Sequence, residues 1–462
     1  MLFKSKNVFT NTLFTTAVCL GFLCGCKKND PKPDAPTGPV TNREINQWVI
    51  DSLKKYYYWA SSLPANPNID LEPTAFLNTI KDNADRFSFI MQPGGISSLS
   101  PTSRVKYGFD YMVIHDDASD RVLGLVTLVL NTSPAHGAGI RRGLYFTKIN
   151  RTTITQDNAA QLYSQLVNGT TVQLTRATLE DGVVKEGANT TINAAETFEQ
   201  TALQKNFTAD GKKIGYLFFT GFNSAERNDY LTVFDGFKAV NITELILDLR
   251  YNGGGDVSAA ATLCAMIAQT VKQEELFIEY RGNSNVGVRK DNFGTAASVS
   301  NGPSFAQLQQ RKLNITKLYV LTTQATASAA ELMINNLRPY MTVVQIGETT
   351  RGKDEASITI TDKRAAKRIN WTLQPIVYKV FNAAGIGGYS SGLSPNFTAS
   401  ETDILPLKPF GDETDPFISK AISLITGKVA AGKAPSALKN ASVTLPLFNS
   451  AMQNNTAMQA GN

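Results

Sequence analysis

Histidine and cysteine are scarce in this chain: 462 residues contain two histidines, His115 and His136, and four cysteines. With no Cys/His cluster, a zinc enzyme is not expected, and a hydroxyl nucleophile would have few imidazoles to serve as its base. Long apolar runs are missing except at the N-terminus, which excludes a polytopic membrane protein. No block of five or more Lys or Arg occurs and charged residues make up only 18%, which argues against a nucleic-acid partner. A cofactor fingerprint is also lacking. The one glycine triplet, Gly253-Gly254-Gly255, is not followed by GK[ST], so a phosphate-binding P-loop fails and no cofactor is expected. What is present is 42% apolar residues, too many for a disordered chain, on a length that suits about two to four domains.

Residues 1–26 read MLFKSKNVFTNTLFTTAVCLGFLCGC. Lys4 and Lys6 form a positive start, and the apolar stretch from Leu13 to Leu23 has signal-peptide length. The end, Leu23-Cys24-Gly25-Cys26, resembles a bacterial lipobox. That resemblance implies a signal peptide over 1–25, a lipid on Cys26 and a protein anchored to a bacterial membrane in the cell envelope. An ordinary signal peptide containing cysteines is the alternative. After cleavage only Cys26 and Cys264 remain, so a lipid on Cys26 leaves no intrachain disulfide. Residues 26–41, polar and proline-rich, read as a tether.

Beyond the tether the pattern changes three times. Over 42–98, Ile45, Trp48, Val49, Leu53 and Tyr56 recur at three- and four-residue spacing, and PTAFLNTIKDNADRF repeats the pattern, so a small helical element is expected with its aromatics in a core. Over 99–195 short strands surround one helix, NAAQLYSQLVNG. Ser133-Pro134-Ala135, Ala138-Gly139-Ile140 and Gly143 resemble a PDZ domain of the bacterial protease type, with Leu144 departing from the acidic residue usual there. That resemblance implies an edge groove for a peptide C-terminus. Tyr107, Gly108 and Phe109 would supply its carboxylate-binding amides, with Arg104 and Lys106 adding positive charge. From 196 to 428 apolar strands alternate with helices, which predicts a parallel or mixed α/β sheet. Cys264 falls on an apolar helix face and reads as a buried small residue. One further helix is expected at ISKAISLITG, and 429–462, a tail dominated by Ala, Asn, Ser and Lys, is expected to be loosely held.

Three strand ends in the 196–428 region carry chemistry. ILDLRYNGGGDV places glycines after a buried strand, where bare amides suit an oxyanion hole. LYVLTTQATASAAELM puts Ser328 at a strand–helix junction, where the Ala329 N–H and the helix dipole would face a developing oxyanion. An ordinary N-cap serine would occupy the same place. GETTRGKDEA sets Lys353 just past a strand expected to neighbour the one that leads to Ser328, and burial can keep a lysine neutral enough to act as a base. Neither histidine lies in this region.

Together, DLR-x-N-x-GG, T-A-S-A-x-E and G-x-T-x-x-G-K, in that order and with Lys353 25 positions after Ser328, resemble peptidase family S41, the carboxyl-terminal processing or tail-specific proteases. The resemblance runs through the whole chain after the tether. It implies a crotonase/Clp-like β-β-α core, Ser328 as nucleophile, Lys353 as general base and an oxyanion hole from Ala329 with Gly254 or Gly255. Glu331 matches an acidic position that supports the pair in part of the family. Ser357 stands where relatives often have Gln. Asp248 and Arg250 are expected to brace the strand end. The expected partners are polypeptide substrates, through their C-termini, and a membrane through the lipid. No oligomeric state is readable. The alternative is a non-cleaving, peptide-binding surface lipoprotein on the same fold. A small-molecule esterase gains little from a peptide-capture module.

Overall fold

The structure, a computed structural model, describes residues 38–92, 102–195, 197, 202–223, 227–364, 366–428, 446–454 and 458–459. The leader, Cys26 and the tether up to residue 37 lie outside the described residues. Residues Val40–Asn462 form one compact unit, and no helix among the described residues is long and apolar enough to cross a membrane.

The first helix, α1 (Asn42–Tyr56), starts at Thr41, whose hydroxyl accepts the Glu44 N–H, and buries Ile45, Val49, Ile50 and Leu53. The second, α2 (Pro73–Ile80), is capped by the Glu72 carboxylate. It is shorter than its apolar pattern predicts. Asp82 and Asp85 accept the N–H groups of Ala84, Phe87 and Ser88, so short-range side-chain bonds replace the next helical turns. Both helices pack on Tyr57, Ile369 and Leu373. Strand β1 (Phe89–Met91) ties them to the rest of the molecule through β18 below.

Residues 102–195 form α3 (Ser103–Tyr107), β2 (Phe109–Asp116), β3 (Arg121–Val129), α4 (Pro134–Gly137), β4 (Tyr145–Ile149), β5 (Thr152–Thr153), α5 (Ala159–Asn168), β6 (Thr171–Glu180) and β7 (Val183–Asn193). The antiparallel sheet runs β2-β3-β4-β6-β7, with β5 beside β4. Helix α5 covers one face through Leu162, Tyr163 and Leu166.

The following elements are β8 (Leu203–Ala209), β9 (Lys212–Phe218), α6 (Arg227–Ala239), β10 (Glu244–Asp248), β11 (Gly255–Asp256), α7 (Val257–Ile267), β12 (Leu276–Arg281), β13 (Val288–Asn292), α8 (Phe293–Ala297) and α9 (Phe305–Gln309). After them come β14 (Lys317–Thr322), α10 (Ala329–Leu337), β15 (Thr342–Gly347), β16 (Glu355–Ser357), β17 (Ile360–Thr361), β18 (Thr372–Gln374), β19 (Ile376–Phe381), β20 (Phe397–Thr398) and α11 (Pro416–Thr426). A central sheet runs β20-β15-β14-β10-β9-β8, parallel except for β8 on β9. This is the mixed α/β sheet that the apolar strands predict. Strands β10 and β14 are buried on both faces, as parallel strands are when helices cover both sides. Cys264 is buried on α7 with a free thiol, in the core cluster.

The expectation of a loosely held tail is corrected by its described part. Strand β21 (Phe448–Asn449) pairs with β2, and β22 (Met458–Gln459) pairs with β11 and β16. Ser450 and Ala451 are buried.

Arg250, beyond the end of β10, has no solvent exposure. Its guanidinium meets Asp248 at 2.6 Å, Glu401 at 2.7 Å and Asp415 at 2.9 Å, and Arg142 meets Glu401 at 2.7 Å. Tyr216 donates to Asp248 at 2.7 Å, and Tyr251 donates to Glu401. Burial works against this charge, but three carboxylates hold the Arg250 pKa well above its usual value. Because Asp415 also caps α11 and Arg142 belongs to the 102–195 module, the cluster ties three parts of the molecule to the end of β10. Arg250→Ala leaves three buried carboxylates against Arg142 alone. It is expected to lower unfolding stability by about 3–5 kcal/mol, read as a shifted urea midpoint. A change below about 1 kcal/mol would contradict this role.

Candidate active site

Ser328 opens α10 in a conformation that an ordinary cap does not use. Its backbone has φ +63° and ψ −119°, whereas N-caps are extended. Its Oγ is buried and has no hydrogen-bond partner among the described residues. A cap would accept a first-turn N–H with that oxygen. Here the hydroxyl is held in a strained turn and left uncommitted, an arrangement found at functional sites. Ala329, next in the chain, is the first helical residue, so its N–H belongs to the first turn that has no intrahelical acceptor.

The neighbouring glycine turn is fixed by Asn252, whose Oδ1 accepts the Gly254 N–H at 2.9 Å and whose carbonyl accepts the Ala327 N–H at 3.0 Å. A Cβ on Gly254 would lie 2.5 Å from Ser328 Cβ and 2.8 Å from its Oγ, and one on Gly255 would lie 2.1 Å from the Phe222 carbonyl oxygen. Both glycines have positive φ, so the close approach needs glycine twice over. Of the three residues expected at an oxyanion hole, Gly254 has its N–H on Asn252 Oδ1, which leaves Gly255 as the glycine candidate beside Ala329.

Glu331 joins the two halves of the site. The buried carboxylate accepts the Ser328 N–H and the Lys353 N–H on one oxygen, each at 2.8 Å. The other oxygen accepts Gly352 N–H at 2.6 Å and Thr350 Oγ1 at 2.5 Å. The amide nitrogens of Ser328 and Lys353 are therefore no farther apart than those two bonds together. Burial raises the Glu331 pKa and the four donors oppose that rise. Its hydrogen-bond partners are main-chain amides and a threonine, an arrangement that suits positioning of the Ser328 and Lys353 backbones.

The turn carrying Lys353 follows β15, which is parallel to β14 with Thr322 opposite Gly347, the expected neighbourhood. Lys353 is 1% exposed. Desolvation pushes its pKa from 10.5 down to about 7, with Arg351 adding to the fall and Glu355, Asp85 and Glu331 opposing it. Its Nζ lies 4.9 Å from the centre of the Phe87 ring. Sequence reasoning missed this contribution from the N-terminal element. Arg86 donates to the carbonyls of Gly352 and Ser390, and Asp85 takes the Tyr57 hydroxyl at 2.8 Å. The only hint was an aromatic beside charges at the end of a helical pattern. Ser357 donates to Gln374 at 3.3 Å, so a glutamine does approach that position, from β18. His115 and His136 lie in β2 and α4 of the other module, and no group of three or more metal-ligating side chains occurs among the described residues.

The expected peptide-binding loop is not open. The Gly108 N–H closes α3 on Ser103 and Arg104 carbonyls, the Tyr107 ring is buried with its hydroxyl on the Leu166 and Gly169 carbonyls, and Phe109 is buried in β2. Arg104 is paired with buried Asp110 at 2.5 Å and Lys106 donates to the Val167 and Gly169 carbonyls. A terminal carboxylate would find these donors already engaged.

The strain at Ser328 has a measurable consequence. Glycine takes positive φ freely, so Ser328→Gly is expected to be more stable than Ser328→Ala by about 1 kcal/mol or more in chemical denaturation. Equal stabilities would show that the turn is not strained.

Two sequence profiles of one family match the chain in order: the peptidase S41 N-terminal domain over residues 44–89 and peptidase family S41 over 213–376. The chain is 25% identical over 412 residues to the carboxy-terminal processing protease CtpA of Bacillus subtilis, covering 87% of this chain and 79% of that one. It is 25% identical over 243 residues to a carboxyl-terminal-processing protease of a Picosynechococcus species, spanning about half of each, 49% of this chain and 50% of that one. A crystal structure of a candidate S41 protease from Bacteroides fragilis superposes with a TM-score of 0.67 at 27% identity, over 85% of this chain and 99% of that one. Over residues 44–89 and 213–376 the chain is thus similar to peptidase family S41.

Proposed function

We propose that this protein is a serine endopeptidase that cleaves unfolded or C-terminally exposed polypeptides through a Ser328–Lys353 pair, at the cell envelope, on a lipid carried by Cys26. We read its central region as the crotonase/Clp-like core of the family and residues 102–195 as a PDZ-like module. The observation that carries the reading is the uncommitted, strained Ser328 hydroxyl beside Gly254, with a lysine of lowered pKa tethered to the same carboxylate oxygen.

In this mechanism neutral Lys353 takes the proton from Ser328 Oγ as that oxygen adds to the scissile carbonyl. The Ala329 and Gly255 amides hold the oxyanion; loss of one such donor costs about 3–4 kcal/mol. The Lys353 ammonium then protonates the departing amine and the C–N bond breaks, leaving an acyl ester on Ser328. Water, deprotonated by the same amine, cleaves the ester and restores the serine. Glu331 takes no proton in these steps and keeps the two residues in register.

The test is cleavage of casein by the chain from Lys27 onward, against Ser328→Ala and Lys353→Ala variants with folding checked by circular dichroism. Both substitutions are expected to abolish cleavage. The wild-type kcat/KM is expected to rise with pH through a midpoint near 7, because only the neutral amine accepts a proton. Activity surviving in Lys353→Ala, or a flat profile between pH 5.5 and 8.5, would sink the lysine-base reading. Saturable peptide binding with no cleavage would favour the non-cleaving alternative.

The same lysine affects stability. Unfolded, it holds its proton up to its ordinary pKa of 10.5, whereas in the fold it holds it only to about 7. The unfolded state therefore binds more protons between these values, and stability rises with pH across that window. Lys353→Met is expected to flatten this rise and to stabilise the protein at pH 7 by at least about 1 kcal/mol. A melting-temperature series against pH reads both effects.

A further inference from the structure

Strand β2 is an edge of the 102–195 sheet beside α5, and this edge is filled by the chain itself. In β21, Asn449 and Phe448 pair antiparallel with Met112 and Val113. The Leu447 N–H donates to the Val113 carbonyl at 2.8 Å, and the Tyr111 N–H donates to Ser450 Oγ at 2.8 Å. The Phe448 ring centre is 5.2 Å from that of Tyr163 on α5 and 5.9 Å from that of Tyr111. Main-chain pairing to a sheet edge with one side chain seated against a helix is how an extended peptide is bound by strand addition.

The segment then continues toward the candidate active site. Asn454 Nδ2 donates to Asp110 at 3.3 Å, and Arg351, two residues before Lys353, donates to the Met452 carbonyl at 2.7 Å. Farther on, β22 lies between Gly255–Asp256 and Ser357, parallel to both. With this arrangement in place Ser328 is 0% exposed and Lys353 1% exposed. A scissile carbonyl has no approach to such a hydroxyl until some covering element leaves. The ladders that hold β21 and β22 are two residues long, the shortest a strand can make, so this segment is among the least costly to release.

We infer that the tail segment described at 446–454 and 458–459, two short strands with a 3-10 turn at Ser450–Gln453 after the first, is an intramolecular stand-in for substrate at the β2 edge and in the gap beside Gly255, and that polypeptide substrates bind by displacing it. The inference rests on the peptidase reading for its effect on turnover, though not for the occupancy itself. The class of ligand follows from the resident segment. It is a short extended stretch with an aromatic side chain at the Phe448 position, followed by a 3-10 turn whose first hydroxyl, on Ser450, lies 3.4 Å from Asp110. A free terminal carboxylate suits this end poorly, because Asp110 is there and the Gly108 amide is engaged.

The experiment compares the full chain with a variant stopped after Thr444. A fluorescent peptide of residues 445–462 is the binding probe, and an internally quenched unfolded peptide is the substrate. The probe is expected to bind the shortened protein at least tenfold more tightly than the full chain. The shortened protein should show at least a tenfold gain in kcat/KM, chiefly through KM, and added 445–462 peptide should reverse the gain competitively. Equal probe affinity for the two proteins, or an active shortened protein with unchanged KM, would overturn the inference. If neither protein cleaves but the probe still discriminates between them, the occupancy stands and the peptidase reading falls. Should the shortened chain fail to fold, Phe448→Asp in the full chain carries the same two readings, since Ser450 and Ala451 stay in place.

Discussion

The site depends on a single buried carboxylate. Glu331 collects four donors, and two of them, the Ser328 and Lys353 amides, share one oxygen. A carboxylate in a dry environment is expensive unless its lone pairs are filled. Once filled by main-chain amides, it fixes the backbone at both ends of the site through main-chain groups rather than through the Ser328 and Lys353 side chains. That division explains how Ser328 can stay in a strained turn without relaxing: the strain is local, and the bonds that oppose relaxation converge on the neighbouring helical turn. Thr350 extends the bracing, since its hydroxyl donates to Glu331 and accepts the Leu393 N–H at 2.7 Å.

Arg250 does comparable work one layer out. It lies at the end of β10, just before the glycine turn, and Thr323 and Thr326 donate to the carbonyls of Arg250 and Leu249. The loop leading to Ser328 is thus hung on the same strand end that the ion cluster holds. Because Glu401 and Asp415 come from the far end of the chain and Arg142 from the other module, the position of Ser328 is coupled to the docking of three separate segments. A buried pair of this kind is weak as a source of net stability, but it does specify one arrangement over others.

Much of this was legible in sequence because the signals were periodic or local. Apolar strands alternating with helices predicted the mixed sheet, and the three strand-end motifs picked out Ser328, Lys353 and the glycine turn, which the fold brings to one place. The partners of Arg250 could not be read, since Glu401 and Asp415 follow it by about 150 residues or more and carry no local pattern. The approach of Asp85, Arg86 and Phe87 to Lys353 was hidden for the same reason. Glu331 was noticed, but a spacing of three residues on a helix cannot tell a proton carrier from a clamp. The tail was misjudged for a different physical reason. Strand addition uses backbone bonds that leave no compositional trace, and Leu447-Phe448 is a short apolar island in a stretch of small and polar residues.

Burial of Ser328 and Lys353 and the low basicity of that lysine are two results of one cause. Removing Lys353 from water makes its neutral form available near pH 7, and the same exclusion of water keeps polypeptide away from Ser328. An open cleft would lose the first benefit, because a solvated lysine stays charged to about pH 10. On the proposed mechanism the covering layer cannot simply be absent; it has to be exchanged for substrate, which restores dryness as it binds. An extended polypeptide strand lying between Gly255 and Ser357 meets that requirement whether it belongs to the substrate or to the chain itself. On this view a strand in the gap is a condition for the base to work, and the identity of the strand decides whether a scissile bond is in reach.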